Sequence, residues 1–239
     1  MPATRPRSTR PTRRLATALA ALVLLAGAAT ARADFIVGGT GNDNLFPFGT
    51  SSYYSGEYQQ LYASSAFGTS PFTINSIGFE SIKILNPGSE TLTFSVGLST
   101  TSASLSAPST TYASNKGADF TTVFNGSITF TGQNNGTFDL VVPTAPFTYD
   151  PSKGNLLLDV VMQSSSGPGI ASFTFGPDPQ VTRIYNIGGI STFPTVGVGE
   201  GLLTLFQGAS TVPEPSAAVA LIAGGGLTLV GCRRRARRR

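Results

Sequence analysis

The chain has no histidine and no tryptophan, and its single cysteine, Cys232, sits near the C-terminus. Without imidazole there is no Ser-His-Asp or Cys-His catalysis and no histidine metal site. Without a second thiol there is no intrachain disulfide, and a zinc site of the usual ligands is excluded. Charge is scarce as well: Asp, Glu, Lys and Arg make up 12% of the residues, against about 25% in ordinary soluble domains. No long amphipathic helical period is visible and no internal repeat is evident, so helical bundles and solenoids are set aside.

The little charge present is unevenly placed. Twelve of the sixteen basic residues lie within 1–32 or 233–239, so the net charge of +4 belongs to the two ends. Between Asp34 and Val212 the bases are Lys83, Lys116, Lys153 and Arg183, against eleven acids, a net charge of about −7. An acidic middle of this kind repels phosphate backbones, and no nucleic-acid partner is expected.

Both ends read as addresses. Residues 1–14 carry five arginines and no acid, 15–29 are apolar, and Ala31-Arg32-Ala33 is a small-x-small cleavage site before Asp34. That is a secretory signal peptide over residues 1–33, handled by the general secretion machinery; Arg13-Arg14 leaves the twin-arginine route open. At the other end, Val212-Pro213-Glu214-Pro215 precedes an uncharged run over 217–231, or 216–232 with its flanks. The six arginines Arg233, Arg234, Arg235, Arg237, Arg238 and Arg239 follow as a basic stop. As a helix the 15-residue run spans only about 22 Å, short of a hydrocarbon core of about 30 Å, so the arginines must snorkel to make up the difference. Gly224-Gly225-Gly226 lowers its helix propensity further, as suits a temporary anchor. The basic stop places the C-terminus in the cytoplasm and residues 34–215 outside. Cys232 at the membrane edge is either a lipidation point or an apolar filler.

The Pro-Glu-Pro motif, apolar run and arginine block over 211–239 together resemble the PEP-CTERM sorting signal of Gram-negative bacteria. The resemblance implies recognition of Val212, Pro213, Glu214 and Pro215 by an exosortase, a membrane-embedded transpeptidase, during export to the cell surface or extracellular polymer matrix. An ordinary tail anchor with a proline-bearing linker uses the same residues. Pro47-Phe48-Gly49 and the stretch from Asp150 to Asp159 resemble other such exported proteins more loosely, and that likeness implies no activity.

What remains, residues 34–210, is long enough for one domain with a sizeable core. Leu92, Phe94, Val96 and Leu98 alternate with small polar residues, as do Leu140 and Val142 with Phe138 preceding them on the same parity. Phe72 and Ile74 take one parity, Ile77 and Phe79 the other, and Ile82 and Ile84 return to the first, which predicts a bulge or two short strands. Residues 156–162 are apolar on both parities except at Asp159, the pattern of a central strand covered on both faces. Phe173 with Phe175, 181–187 and 202–206 complete some eight to ten strands.

Turn signals fall at Pro87-Gly88, Asn125-Gly126, Asn135-Gly136, Ser166-Gly167-Pro168-Gly169 and Gly176-Pro177-Asp178-Pro179. Asn125-Gly126-Ser127 and Asn135-Gly136-Thr137 also have the form of glycosylation acceptors, but here they are read as hairpin turns. The Ser/Thr-rich stretch 99–111 is a long loop or a flat edge hairpin. The expectation is an all-β fold, a single antiparallel sandwich of jelly-roll type.

Within it, three patterns invite a site. Glycosidase chemistry needs two facing carboxylates, and Asp119, Asp139, Asp150, Asp159 and Glu200 are the pool. Tyr58, Gln60 and Tyr62 share a strand face, where rings beside an amide would suit a sugar; core packing of the rings is the plainer account. Gly38 to Phe46 matches one copy of a calcium-binding nonapeptide, a solitary copy that cannot build that site, so a calcium site would have to rest on Asp43 with other oxygens. None of the three demands a cofactor. The sequence-level expectation is thus a non-enzymatic surface, matrix or biofilm component, with a carbohydrate-binding module as the competitor. In either case the partners would be an exosortase, the secretion machinery, the membrane through a transient or permanent anchor, and in the second case an exopolysaccharide.

Overall fold

Alternation dictates which face each strand buries. The computed structural model describes residues 32–48, 56–132, 136–168, 170–186 and 194–210; the tail motif, the arginine block, Ala31 and the leader lie outside them. The strands are β1 (Arg32–Val37), β2 (Asn42–Asn44), β3 (Glu57–Tyr62), β4 (Phe72–Phe79), β5 (Ser81–Asn86) and β6 (Glu90–Thr101). They continue with β7 (Thr121–Phe130), β8 (Leu140–Tyr149), β9 (Asn155–Ser166), β10 (Ile170–Tyr185), β11 (Thr195–Leu202) and β12 (Thr204–Ser210). Among the described residues the only helical pieces are three short 3-10 segments, and no helix is long and apolar enough to cross a membrane.

Two antiparallel sheets result. The smaller has the order β1-β12-β4-β8, and the larger β11-β10-β3-β9-β6-β7 with β2 and β5 also paired to β10. Leu92, Phe94, Val96 and Leu98 of β6 face the interior, as their alternation predicts, and meet Leu156, Leu158 and Val160 of β9 in one cluster with Ile74, Ile77 and Phe206 of the smaller sheet. Aromatic rings fill the space between the sheets. Phe48 lies 4.8 Å from Phe79 of the smaller sheet and 5.5 and 5.3 Å from Phe94 and Phe173 of the larger.

The parity changes along 72–84 have two causes. Within β4 Asn75 is an extra residue against β12, where Ile74 pairs with Gly208 and Ser76 with Gln207, a bulge that switches the parity. Beyond Phe79 the chain leaves the smaller sheet and enters the larger as β5. β11 and β12 make the reverse crossing around Leu203. Thr174 of β10 ties the two crossings together: its N–H donates to Glu80 O at 2.9 Å, and its carbonyl accepts from Leu203 N at 3.0 Å.

Three turn or strand expectations are revised. Asn125-Gly126 lies inside β7, with Asn125 opposite Ser95 and Gly126 opposite Phe94; the glycine leaves room beside the Phe124 ring. Gly176-Pro177-Asp178-Pro179 is an irregularity within β10, where the register to β11 shifts between Pro177 and Thr182. The two prolines have no N–H to give the ladder, and the Asp178 carboxylate accepts instead from Gly38 N and Gln180 N. Phe138 precedes β8, and its Cβ lies against Gly78 on the sheet's outer face. By contrast Gly88 (φ +135°) and Gly167 (φ +118°) occupy the turns expected of them.

Residues 102–120 form the long connection between β6 and β7, and they fold over the outer face of the larger sheet. There Leu61, Leu157 and Ile184 make a second apolar cluster covered by Ala103, Leu105 and Tyr112. Strand side chains satisfy the loop's carbonyls: Thr182 Oγ1 donates to Leu105 O (2.7 Å), Asn155 Nδ2 to Ala103 O (3.0 Å) and Thr101 Oγ1 to Asn115 O (2.6 Å). This loop is the second cover that makes β9 apolar on both parities.

Candidate functional site

On the outer face of the larger sheet, β3 presents Glu57, Gln59 and Leu61, and β9 presents Leu157, Asp159 and Val161. The antiparallel register sets Gln59 directly opposite Asp159. Lys116, just past the 3-10 turn Tyr112–Asn115, reaches down between them from the covering loop. Its Nζ lies 2.9 Å from Glu57 Oε1 and 3.1 Å from Asp159 Oδ2, and it sits 4.5 Å from the centroid of the Phe120 ring. The Glu57 contact is close but not aligned as a hydrogen bond, so Oε1 keeps a free proton-accepting position.

An amide frame holds the group. Gln59 Nε2 donates to Asp159 Oδ1 at 2.8 Å and to Tyr112 O at 3.1 Å, while Asn115 Nδ2 donates to Gln59 Oε1 at 3.0 Å. The side chain of Asp159 is 4% exposed, and those of Glu57 and Lys116 are 25% exposed. Burial and the neighbouring Asp159 carboxylate push the Glu57 carboxyl up, against the pull of Lys116. Burial alone would lower the Lys116 ammonium, but the two carboxylates outweigh it and raise it. Burial and the same two carboxylates also push the Tyr112 hydroxyl up. An amine, two carboxyl groups and an amide donor thus share one partly buried place.

Of the residues expected from sequence to form sites, Asp159 falls in this group and the others are placed elsewhere. Tyr58, Gln60 and Tyr62 share a face, but it is the interior one, and all three are buried. The Tyr58 hydroxyl donates to Gln60 Oε1, which also accepts from Leu202 N at 2.9 Å, while Gln60 Nε2 donates to Leu202 O at 2.9 Å. Tyr62 OH donates to Thr204 Oγ1 at 2.8 Å. This is the plainer account of the three, a hydrogen-bonded part of the core and not a sugar-binding surface, and burial pushes both phenols up. Asp43, in β2, accepts from Ser172 Oγ at 2.9 Å, and among the described residues no three acids gather around a metal-sized space.

The acids of the glycosidase pool are dispersed. Asp119 accepts from Thr100 N at 2.9 Å, Asp139 from Ser81 N at 2.9 Å and from its hydroxyl, and Asp150 caps the 3-10 turn at Ser152 N (3.0 Å). Glu200 accepts from Arg183 Nη2 at 2.8 Å, and the guanidinium is flanked by Phe175 (3.9 Å) and Tyr185 (4.5 Å). Asp159 shares Lys116 with a second carboxyl, and that neighbour, Glu57, was not in the pool. The sequence signal was present all the same: Glu57 and Gln59 take the parity opposite to the tyrosines, and Asp159 interrupts an apolar run. Lys116 is one of only four bases in the domain.

At the N-terminal boundary, Ala33 packs against the main core and Asp34 is in β1, paired with Gln207. Val212, Pro213, Glu214, Pro215 and the six C-terminal arginines lie outside the described residues. Compared with known protein families, curated proteins and solved structures, the chain matches none.

Proposed function

We propose that this chain is an exported, non-catalytic component of the cell surface or extracellular matrix of a Gram-negative bacterium, delivered through its leader and sorted through its C-terminal tail by an exosortase-type transpeptidase. The observation that carries the reading is the tail itself: Pro213-Glu214-Pro215, an uncharged run too short to make a comfortable permanent span, and six arginines.

The domain is compatible with processing at both ends. The leader ends two residues into β1 and the tail follows β12, and these two strands pair with each other. Cleavage after Ala33 removes the pairs of Arg32 with Ala209 and Ala33 with Gly208, and leaves those from Asp34–Gln207 to Val37–Thr204 intact. The Arg32–Asp34 ion pair (2.6 Å) is also lost, at little cost because Arg32 is largely exposed. The strand orders β1-β12-β4-β8 and β3-β9-β6-β7, each setting a late strand beside an early one, support reading the sandwich as jelly-roll-like.

Intact-mass analysis of protein from its native host tests the reading. The mature chain is expected to begin at Asp34 and end near Pro215, and Glu214→Ala is expected to accumulate an unprocessed, membrane-bound form. Recovery of wild-type chains ending at Arg239 from cells with an active sorting enzyme would reject processing and leave a plain tail anchor.

A further inference from the structure

We propose that Lys116 and Asp159 become joined by an isopeptide bond that the protein forms on itself, with Glu57 as the proton carrier. The three reacting groups are already in contact. Lys116 Nζ is 3.1 Å from Asp159 Oδ2 and 2.9 Å from Glu57 Oε1, and they come from three separate parts of the chain, the covering loop, β9 and β3.

The chemistry balances without any outside reagent. Transfer of the ammonium proton to Asp159 turns the ion pair into an amine facing a carboxylic acid; the two carboxylates favour the ammonium, so this first step is uphill and sets a slow rate. The Lys116 nitrogen attacks Cγ of Asp159, forming the C–N bond. Negative charge then builds on Oδ1, where Gln59 Nε2 already donates from 2.8 Å, the placement required of an oxyanion donor. Glu57 takes the proton that the nitrogen sheds and delivers it to the departing Oδ2 hydroxyl. The C–O bond breaks, one water leaves, and Glu57 ends as it began. Oδ1 remains as the amide carbonyl, still accepting from Gln59.

Two further observations fit this use. Asp159 is buried beneath the loop, with the Phe120 ring beside Nζ, so water competes poorly for the acyl carbon. The domain also has no cysteine with which to fasten a loop of nineteen residues, 102–120, to the sheet it covers. An amide between 116 and 159 would supply that covalent closure in a form that reducing conditions do not undo.

The test is the mass of the purified full-length chain and of its peptides after denaturation and proteolysis. The wild type is expected to be lighter than its sequence by one water, and to yield a single branched peptide joining Lys116 to Asp159. Lys116→Arg, which keeps the positive charge, is expected to carry its full mass. Glu57→Gln is expected to carry its full mass too, while its β-sheet spectrum and cooperative unfolding report an intact fold. Folded wild type that keeps its full mass and gives two separate peptides after prolonged incubation would overturn the proposal. So would a Glu57→Gln variant linked as completely as the wild type, which would remove the proton carrier. Should Glu57→Gln fail to fold, the comparison of wild type with Lys116→Arg still decides whether the bond exists.

Discussion

Leu158→Asp is expected to unfold the domain or to lower its stability by about 4 kcal/mol or more, among the largest effects of any single change. Leu158 is fully buried in β9, paired with Gln60 of β3 on one side and Leu98 of β6 on the other. Its side chain belongs to the cluster between the sheets, whose members are all apolar or phenolic. Truncation to alanine alone would cost about 2–5 kcal/mol through lost burial and the cavity left behind. Aspartate adds the desolvation of a polar group that must either hold its proton or draw in water. Denaturant midpoints measure the difference. Val141→Asp is the control: Val141 is 44% exposed on β8, and a change there is expected to stay within about 0.5 kcal/mol. A Leu158→Asp midpoint equal to the wild type's would mean that β9 is not central.

Asp159, the next residue, shows how far the sequence could be read. The apolar run around it announced a strand covered on both faces, because only a doubly covered strand keeps Leu156, Leu157 and Leu158 all out of water. Alternation likewise located β6, and the parity changes along 72–84 were a true sign of the bulge in β4 and the crossing into β5. Local pattern could not say which layer formed the second cover. That depends on residues 102–120, whose serines and threonines carry little apolar signal and which are held by Thr182, Asn155 and Thr101 from distant strands.

The candidate site was less legible for the same reason. Tyr58, Gln60 and Tyr62 do share one strand face, but period two cannot tell the interior face from the exterior one when both bear polar atoms. A glutamine between two tyrosines looked like a binding surface, whereas Leu202 and Thr204 supply its row with buried partners. Glu57, Lys116 and Asp159 lie far apart in sequence and meet only through the pairing of β3 with β9 and the fold of the loop. The Asn125-Gly126 and Pro177-Asp178-Pro179 signals misled because tertiary pairing carried a strand through residues that locally favour a turn.

Glu90 is expected to make the domain less stable as pH rises towards neutrality, by about 3 kcal/mol in total, and Glu90→Gln is expected to remove that dependence. Glu90 opens β6 with 4% of its surface exposed, beside Ile84, Asn86, Phe130, Gly132 and Ala171. Its Oε2 has no partner. Burial pushes the carboxyl up from 4.5 to about 7, against a smaller downward pull from a hydrogen bond with Ser165. Below pH 4.5 folded and unfolded chains both hold the proton, and the buried group carries no penalty. Between 4.5 and about 7 the unfolded chain releases the proton while the folded chain keeps it, so each pH unit favours unfolding by about 1.4 kcal/mol. Above about 7 both are ionised, and the accumulated loss stays constant. Glu57, whose carboxyl burial also pushes up, acts in the same sense, whereas Asp150, held low by its hydrogen bonds to Ser152, has its effect only below its ordinary value of 3.8. The informative quantity is therefore the wild-type-minus-Gln difference in unfolding free energy, measured in urea at pH 4, 6 and 8. That difference is expected to move against the wild type from pH 4 to about 7 and to have levelled off by pH 8. A difference that stays flat across the series would show that the Glu90 carboxyl titrates in the folded protein as it does in the unfolded chain.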